Sequence, residues 1–212
     1  MASIIIHMAV TQNLLDTCGI DENRDEYLFG TILPDYNFKE NHHYKDTRGE
    51  RRFFNLTRFR EEFGNKLEDP IYLGYYLHLV QDTVFRDLMY NIHGFSPLEK
   101  ENVLKLYGDY QRLNSYLARK YSIPVELLKN TDIISAHRYP DFILNKAELT
   151  EETEKYHNIN ICPDGDYFFF TPEMADEYIR LACDACISEL SALKGKGEHI
   201  NELDYSWIKF FE

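Results

Sequence analysis

Apolar residues along this chain recur mainly every three or four positions, the spacing of one face of an α-helix. Ser3 is placed to cap a first helix on which Ile4, Ile5, Met8, Ala9, Leu14 and Leu15 share a stripe, and Cys18-Gly19 marks its end. A short apolar piece, Tyr27 to Leu33, then runs into Pro34-Asp35, where the proline disfavours helix in the residue before it. Residues 36–60 turn polar and aromatic and read as a long loop with at most a turn of helix. The clearest element follows Pro70. There Leu73, Leu77, Val80, Val84 and Leu88 define one face, and the opposite face of the first half, from Ile71 to Val80, carries no formal charge. The pattern predicts a central helix buried nearly all round.

Further helices are expected from Pro97 to Tyr121, Val125 to Asn130, Leu149 to Tyr156 and Pro172 to Leu193. The last has a capping Thr171 followed by proline at the first helical position. The acidic run from Glu148 to Glu154 reads as a solvated helix face. Only Tyr167 to Phe170 resembles a strand, and the tail from Tyr205 to Phe211 must dock or stay exposed. With no repeat or linker, residues 1–212 are expected to form a single all-α, multi-helical domain.

Composition narrows the class. With 44% hydrophobic and 28% charged residues, the 212-residue chain has the balance of a folded soluble protein. Its formal charge of −13 repels phosphate backbones, which argues against a nucleic-acid-coating role. The 16 tyrosines and 14 phenylalanines suit helix packing or the walls of a pocket. The start has no basic segment and its apolar stretch breaks at His7, so neither a signal peptide nor a transmembrane segment is expected. Four cysteines form no disulfide framework, and Cys183-Asp-Ala-Cys186 reads as a buried helical pair; a reducing, cytoplasmic setting is expected.

Candidate chemistry centres on the buried helix. His78 and Asp82 stand four residues apart, on one helix face and roughly 6 Å apart at Cβ, close enough for a ring nitrogen and a carboxylate oxygen to share a cation. A buried carboxylate needs a counter-charge, a proton or a metal. A plain His–Asp core pair satisfies that need as well. Taken singly, Asp35 reads as a turn or cap residue, His43 as a solvated loop residue and His7 as a core histidine.

In order, however, His7, the Gly30-Thr-Ile-Leu-Pro-Asp35 segment, Asn41-His-His43-Tyr and the Gly74-Tyr-Tyr-Leu-His78-Leu-Val-Gln-Asp82 helix resemble the bacterial branch of the zinc-dependent phospholipase C family, whose fold is shared with the S1/P1-type nucleases. The resemblance covers roughly residues 1–90, the expected metal-site half (about 1–93), and leaves a helical half (about 97–212) that matches only in being helical. It implies that Asp35, His43, His78 and Asp82 are metal ligands and that His7 supplies another. It implies one to three Zn²⁺ ions, with Mn²⁺ or Fe also accommodated, and hydrolysis of a small phosphoester or phospholipid by metal-activated water, with Asp35 and Asp82 as the catalytic carboxylates.

The chain departs from the family downstream. No second His-x-x-x-Glu pair exists, and Arg86 stands one turn beyond Asp82, where it could hold phosphate in place of a further metal or be a solvated helix residue or a partner for Asp87. His137-Arg-Tyr-Pro-Asp141 is the nearest substitute pair, with Pro140 against a regular helix, while His93 and His157 stand without partners. Two rival readings remain. A non-catalytic helical domain could retain part of the site for metal or partner binding. An HD-type phosphohydrolase would need a contiguous His-Asp dipeptide, which the sequence lacks.

Overall fold

The computed structural model describes residues 2–36, 40–129, 139, 141–143 and 165–208. α1 (Ile4–Cys18) begins where Ser3 Oγ accepts from the Ile6 amide at 3.4 Å and ends at Gly19 in the left-handed region, φ 63°. α2 (Arg24–Tyr36) absorbs the whole Tyr27 to Leu33 piece and continues through Pro34. The proline falls in the last turn, where the missing amide costs one bond, and burial from Leu28 to Pro34 outweighs its local preference.

The stretch expected to be a loop is largely ordered. β1 (Lys45–Arg48) and β2 (Arg51–Phe54) form an antiparallel hairpin across Gly49-Glu50, with Gly49 at φ 62° as a two-residue turn requires. Asn55 Oδ1 then accepts from the Arg58 amide and caps α3 (Leu56–Phe63). Alternation is too brief in four-residue strands to stand out in the sequence. The tail docks here, because β3 (Trp207–Ile208) pairs with Arg51 and Arg52 to complete a three-stranded sheet. The all-α expectation therefore holds for the bulk of the fold, with this small sheet added to it.

α4 (Pro70–Arg86) is buried at every residue from Ile71 to Phe85, as its uncharged face predicts, and passes into a π-helical turn over Asp87–Ile92. α5 (Lys100–Lys120) follows, then a 3₁₀ turn at Val125–Lys129 in place of the short helix that the pattern predicts. α6 (Pro172–Leu193) begins as expected, with Thr171 accepting from the Met174 amide. Tyr167 to Phe170 is not a strand. The amides of Phe168, Phe169 and Phe170 instead donate to the buried carboxylate of Asp109 on α5 at 2.8–2.9 Å. The expected helix at 149–156, the acidic run 148–154, His137, His157 and Cys162 lie outside the described residues.

Both halves share one apolar core, with α6 packed on α1 and α4. Tyr178 of α6 donates to the Gln81 carbonyl at 3.2 Å, and Cys186 Sγ lies 3.9 Å from the Leu77 carbonyl, so the Cys-x-x-Cys pair is a buried packing element. Among the described residues no helix is long and apolar enough to cross a membrane.

One contact sets the geometry of the site. At the crossing of α2 and α4, a Cβ on Gly30 would fall on the Ile71 carbonyl and one on Gly74 would fall on the Tyr27 carbonyl. Only glycine lets the two backbones touch there. The touching turns lead directly into Thr31 and Asp35 on one helix and His78 and Asp82 on the other.

Candidate metal centre

Four elements deliver five side chains to one buried point. α1 supplies His7, α2 supplies Asp35, and α4 supplies His78 and Asp82. His43 comes from the turn before β1, which Asn41 clamps by bonding both the amide and the carbonyl of Lys45 at 2.9 Å. Asn41 and Tyr44 take left-handed backbone angles in that turn, and Tyr75 of α4 donates to the His42 carbonyl at 2.5 Å, so the loop is tied to the helix it faces. His7, His43, His78 and Asp82 are at most 3% exposed; the Asp35 side chain, at 13%, is the most open of the set.

His43 Nε2 lies 3.3 Å from Asp35 Oδ1 and 4.0 Å from Asp82 Oδ2. His7 Nε2 lies 3.6 Å from Asp82 Oδ1, and His78 Nε2 lies 3.6 Å from Asp82 Oδ2, beyond hydrogen-bonding distance. The His7 and His78 rings stack with centroids 4.0 Å apart. Candidate ligand atoms of His7, Asp35 and His78 all fall within 4.8 Å of one another, and so do those of His43, His78 and Asp82; His78 belongs to both sets. The five residues singled out in the sequence are thus brought together.

The outer contacts fix where the protons sit. His78 Nδ1 is 2.7 Å from the Thr31 carbonyl, which only accepts, so Nδ1 carries the proton. Gln81 Nε2 donates to Thr11 Oγ1 at 3.0 Å, which leaves Gln81 Oε1 to accept from His7 Nδ1 at 2.9 Å. Both imidazoles, when neutral, therefore turn the lone pair of Nε2 toward Asp82. His7 Nε2, His78 Nε2 and both Asp82 oxygens are buried without a hydrogen-bond partner among the described residues. Acceptors facing acceptors in a buried interior cost several kcal/mol unless a cation or a proton lies between them. Three imidazole nitrogens and two carboxylates suit Zn²⁺, Mn²⁺ or Fe, and the Nδ1 bonds to Thr31 and Gln81 are the outer support that metal-bound histidines usually have. The donor set fits a transition metal.

Burial and neighbouring charge shift these groups in opposite senses. Burial and the neighbouring His78 hold His7 down at about 4, against the pull of Asp82 and Asp35. Burial pushes Asp35 up, but His43, His78 and His7 outweigh it and keep the carboxyl at about 2. Burial likewise opposes charge on Asp82, yet the surrounding imidazoles hold it well below the ordinary carboxylate range. His78 ends up raised, because Asp82 and Asp35 overcome its desolvation.

The remaining histidines and acids have other roles. His93 pairs with Glu177 at 3.2 Å, and Asp141 bonds Lys66 and Tyr72 outside the cluster. Arg86 is half-buried, and Asp87 accepts from Asn91. The Arg86 guanidinium lies 5.0 Å from the Tyr90 ring centroid and 5.8 Å from that of Trp207, with NH1 donating to Tyr90 Oη. Sequence reasoning misses three supporting residues. Gln81 is the uncharged polar residue beside Asp82 in an apolar helix, and Thr31 interrupts an apolar segment in the same way; both interruptions are visible in the sequence. Half-buried Lys45, whose ammonium is desolvated while feeling Asp82, Asp35 and Arg86, gives no such signal. Comparison with protein-family models, curated proteins and solved structures finds no match to this chain.

Proposed function

We propose that the protein is a metal-dependent phosphoester hydrolase, with His7, Asp35, His43, His78 and Asp82 as the metal-holding set and Zn²⁺ as the favoured ion. The observation that supports this most is the group of four buried, unpartnered atoms on His7, His78 and Asp82, arranged lone pair against lone pair. When bound, a divalent cation supplies an activated water near neutral pH and stabilises charge building on a phosphoryl group. Asp35 and Asp82 stay ionised at neutral pH and act as ligands. Thr31 and Gln81 hold the imidazoles in the binding tautomer.

Substrate charge is met by the chain itself. Lys45 and Arg86 contribute +2 beside the −2 of Asp35 and Asp82, so each divalent ion adds its full charge to a locally neutral set and an ester phosphate meets a positive site inside an acidic protein. The more open side chain, Asp35, marks the side from which the ester approaches. The burial of the other four ligands favours a second reading, a structural metal that stabilises the fold without catalysis.

Metal analysis of zinc-reconstituted protein is expected to give about one or two equivalents, and bis(p-nitrophenyl) phosphate and a phospholipid provide the activity assays. Hydrolysis that chelator abolishes and zinc restores supports the enzyme. Bound zinc that raises thermal stability with no hydrolysis of either substrate establishes the structural reading. Less than about a tenth of an equivalent of zinc overturns both.

A further inference from the structure

Charge around the small sheet departs from a pattern that the rest of the molecule keeps. Among the described residues, the half-buried cations Arg24, Arg58, Arg60, Lys66 and Arg112 each have a carboxylate oxygen at 2.5–3.9 Å. Lys45, Arg52 and Arg86 are equally half-buried and form no such ion pair with any described residue. In a chain with a formal charge of −13 acids are in excess, so three unpaired cations do not reflect a shortage of partners. A cation drawn partly out of water without a counter-charge is unfavourable, and like charges nearby add to the cost.

Sheet register brings these cations together. Lys45 stands opposite Phe54, and Arg52 stands opposite both Thr47 and Trp207. Residues directly opposite share a face, so Lys45 and Arg52 are diagonal neighbours on one face, roughly 7–8 Å apart in the main chain. Phe54 and Trp207, both buried, fill that face with their rings 5.1 Å apart. Lys45 Nζ lies 6.0 Å from the Phe54 ring centroid, and the Arg86 guanidinium lies 5.8 Å from that of Trp207. The patch also adjoins the candidate metal centre, since Lys45 follows His43 by two residues and Arg86 follows Asp82 by one turn of α4. Beside the cost of its burial, the Lys45 ammonium feels Asp82, Arg86, Asp35 and Arg52, in that order. A divalent ion on Asp35 and Asp82 would neutralise the two acids in that set and leave three positive charges without a protein counter-ion.

We propose that this face of the sheet is an oxyanion subsite, in which Lys45 Nζ and the Arg52 guanidinium donate to a phosphate group while Arg86, whose NH1 is taken by Tyr90 Oη, adds charge behind them. A planar guanidinium beside a point-charge ammonium suits the several oxygens of a phosphate. The inference rests on the phosphoesterase reading for one point, that the phosphate belongs to the substrate, either as the group cleaved at the metal or as a second anionic group next to it.

Inorganic phosphate is the probe, titrated calorimetrically at constant ionic strength into the full chain, metal-free and zinc-loaded. Saturable binding is expected. Lys45→Met and Arg52→Met keep the apolar stems, and each is expected to weaken phosphate at least about ten-fold while zinc content and thermal unfolding stay as in the unsubstituted protein. The two positions lie on different strands, so a folding defect in one variant leaves the other decisive. Binding that zinc tightens by about ten-fold or more identifies the phosphate as the group cleaved at the metal, and binding that zinc leaves unchanged identifies a second anionic group; both retain the subsite. No saturable binding in either form, or binding unmoved by both substitutions, overturns it. Phosphate binding that the substitutions weaken in a protein that takes up no zinc keeps the subsite and removes the hydrolase reading alone.

Discussion

Among the described residues three carboxylates, Asp82, Asp109 and Glu189, are fully buried, and they are treated in two different ways. Asp109 receives three backbone amides from Phe168, Phe169 and Phe170 and has Arg112 3.7 Å away. Glu189 receives Tyr76 Oη at 2.6 Å, His199 at 2.8 Å and the Ile200 amide. Asp82 receives no hydrogen bond from any described residue and faces two imidazole lone pairs instead. The first two carboxylates pin a segment to the core, the residues before α6 in one case and those after it in the other. A fold that saturates two buried acids in this way and leaves the third among imidazole nitrogens is what the proposed metal site requires.

The contrast breaks most visibly at Asp109. Asp109→Ala strands three buried amides and is expected to cost about 3–5 kcal/mol in chemical denaturation; a cost below about 1 kcal/mol means that the amides find other acceptors. Asp82→Asn tests the other side of the comparison. Its amide can donate to an imidazole lone pair, so metal-free protein is expected to keep or gain stability while zinc affinity falls about 100-fold or more, read by competition with a chelator. A large loss of metal-free stability instead places Asp82 with the structural acids. Gln81→Leu removes the bond that fixes the His7 tautomer and is expected to weaken zinc by about 10- to 100-fold with no change in the ligand set.

The smallest expected effect is on titration. In metal-free protein His7, held at about 4, binds a proton later than in the unfolded chain, so it subtracts stability as the pH falls from 6.5 toward 4 and nothing more below that. His78, raised, works in the opposite sense: its contribution is present at low pH and is lost as the pH rises through its folded value. Imidazole resonances followed through an acid titration are expected to show His78 protonating first. Simultaneous protonation of the two rings removes the asymmetry on which the shared-cation geometry depends.

Much of the fold and the site is legible in the sequence where chemistry and periodicity coincide. The four-residue spacing of His78 and Asp82 by itself puts two ligands on one helix face, and the uncharged run from Ile71 to Val80 marks α4 as central. α1 and α6 follow their capping residues. The hairpin is not legible, because four-residue strands offer too little alternation to rise above a polar background and because Gly49 acts only through its backbone angle. Pro34 points the wrong way for α2, where tertiary burial overrides a local rule. Tyr167 to Phe170 carries strand-forming side chains, yet its amides are claimed by Asp109, some sixty residues earlier in the chain. No local pattern encodes that partner.

Under the proposed metal reading, the crossing of α2 and α4 also bears on ionic radius. Since the backbones at Gly30 and Gly74 already touch, the two helices cannot approach further at that crossing, which limits how far the main chain at Asp35 and His78 can close on an ion. Ca²⁺, with six to eight oxygen ligands at about 2.3–2.6 Å, asks for a roomy, pliant, oxygen-rich shell. On that reading, a nitrogen-rich pocket with such a wall is expected to take Zn²⁺ in preference to Ca²⁺, checked by competition of the two ions for metal-free protein.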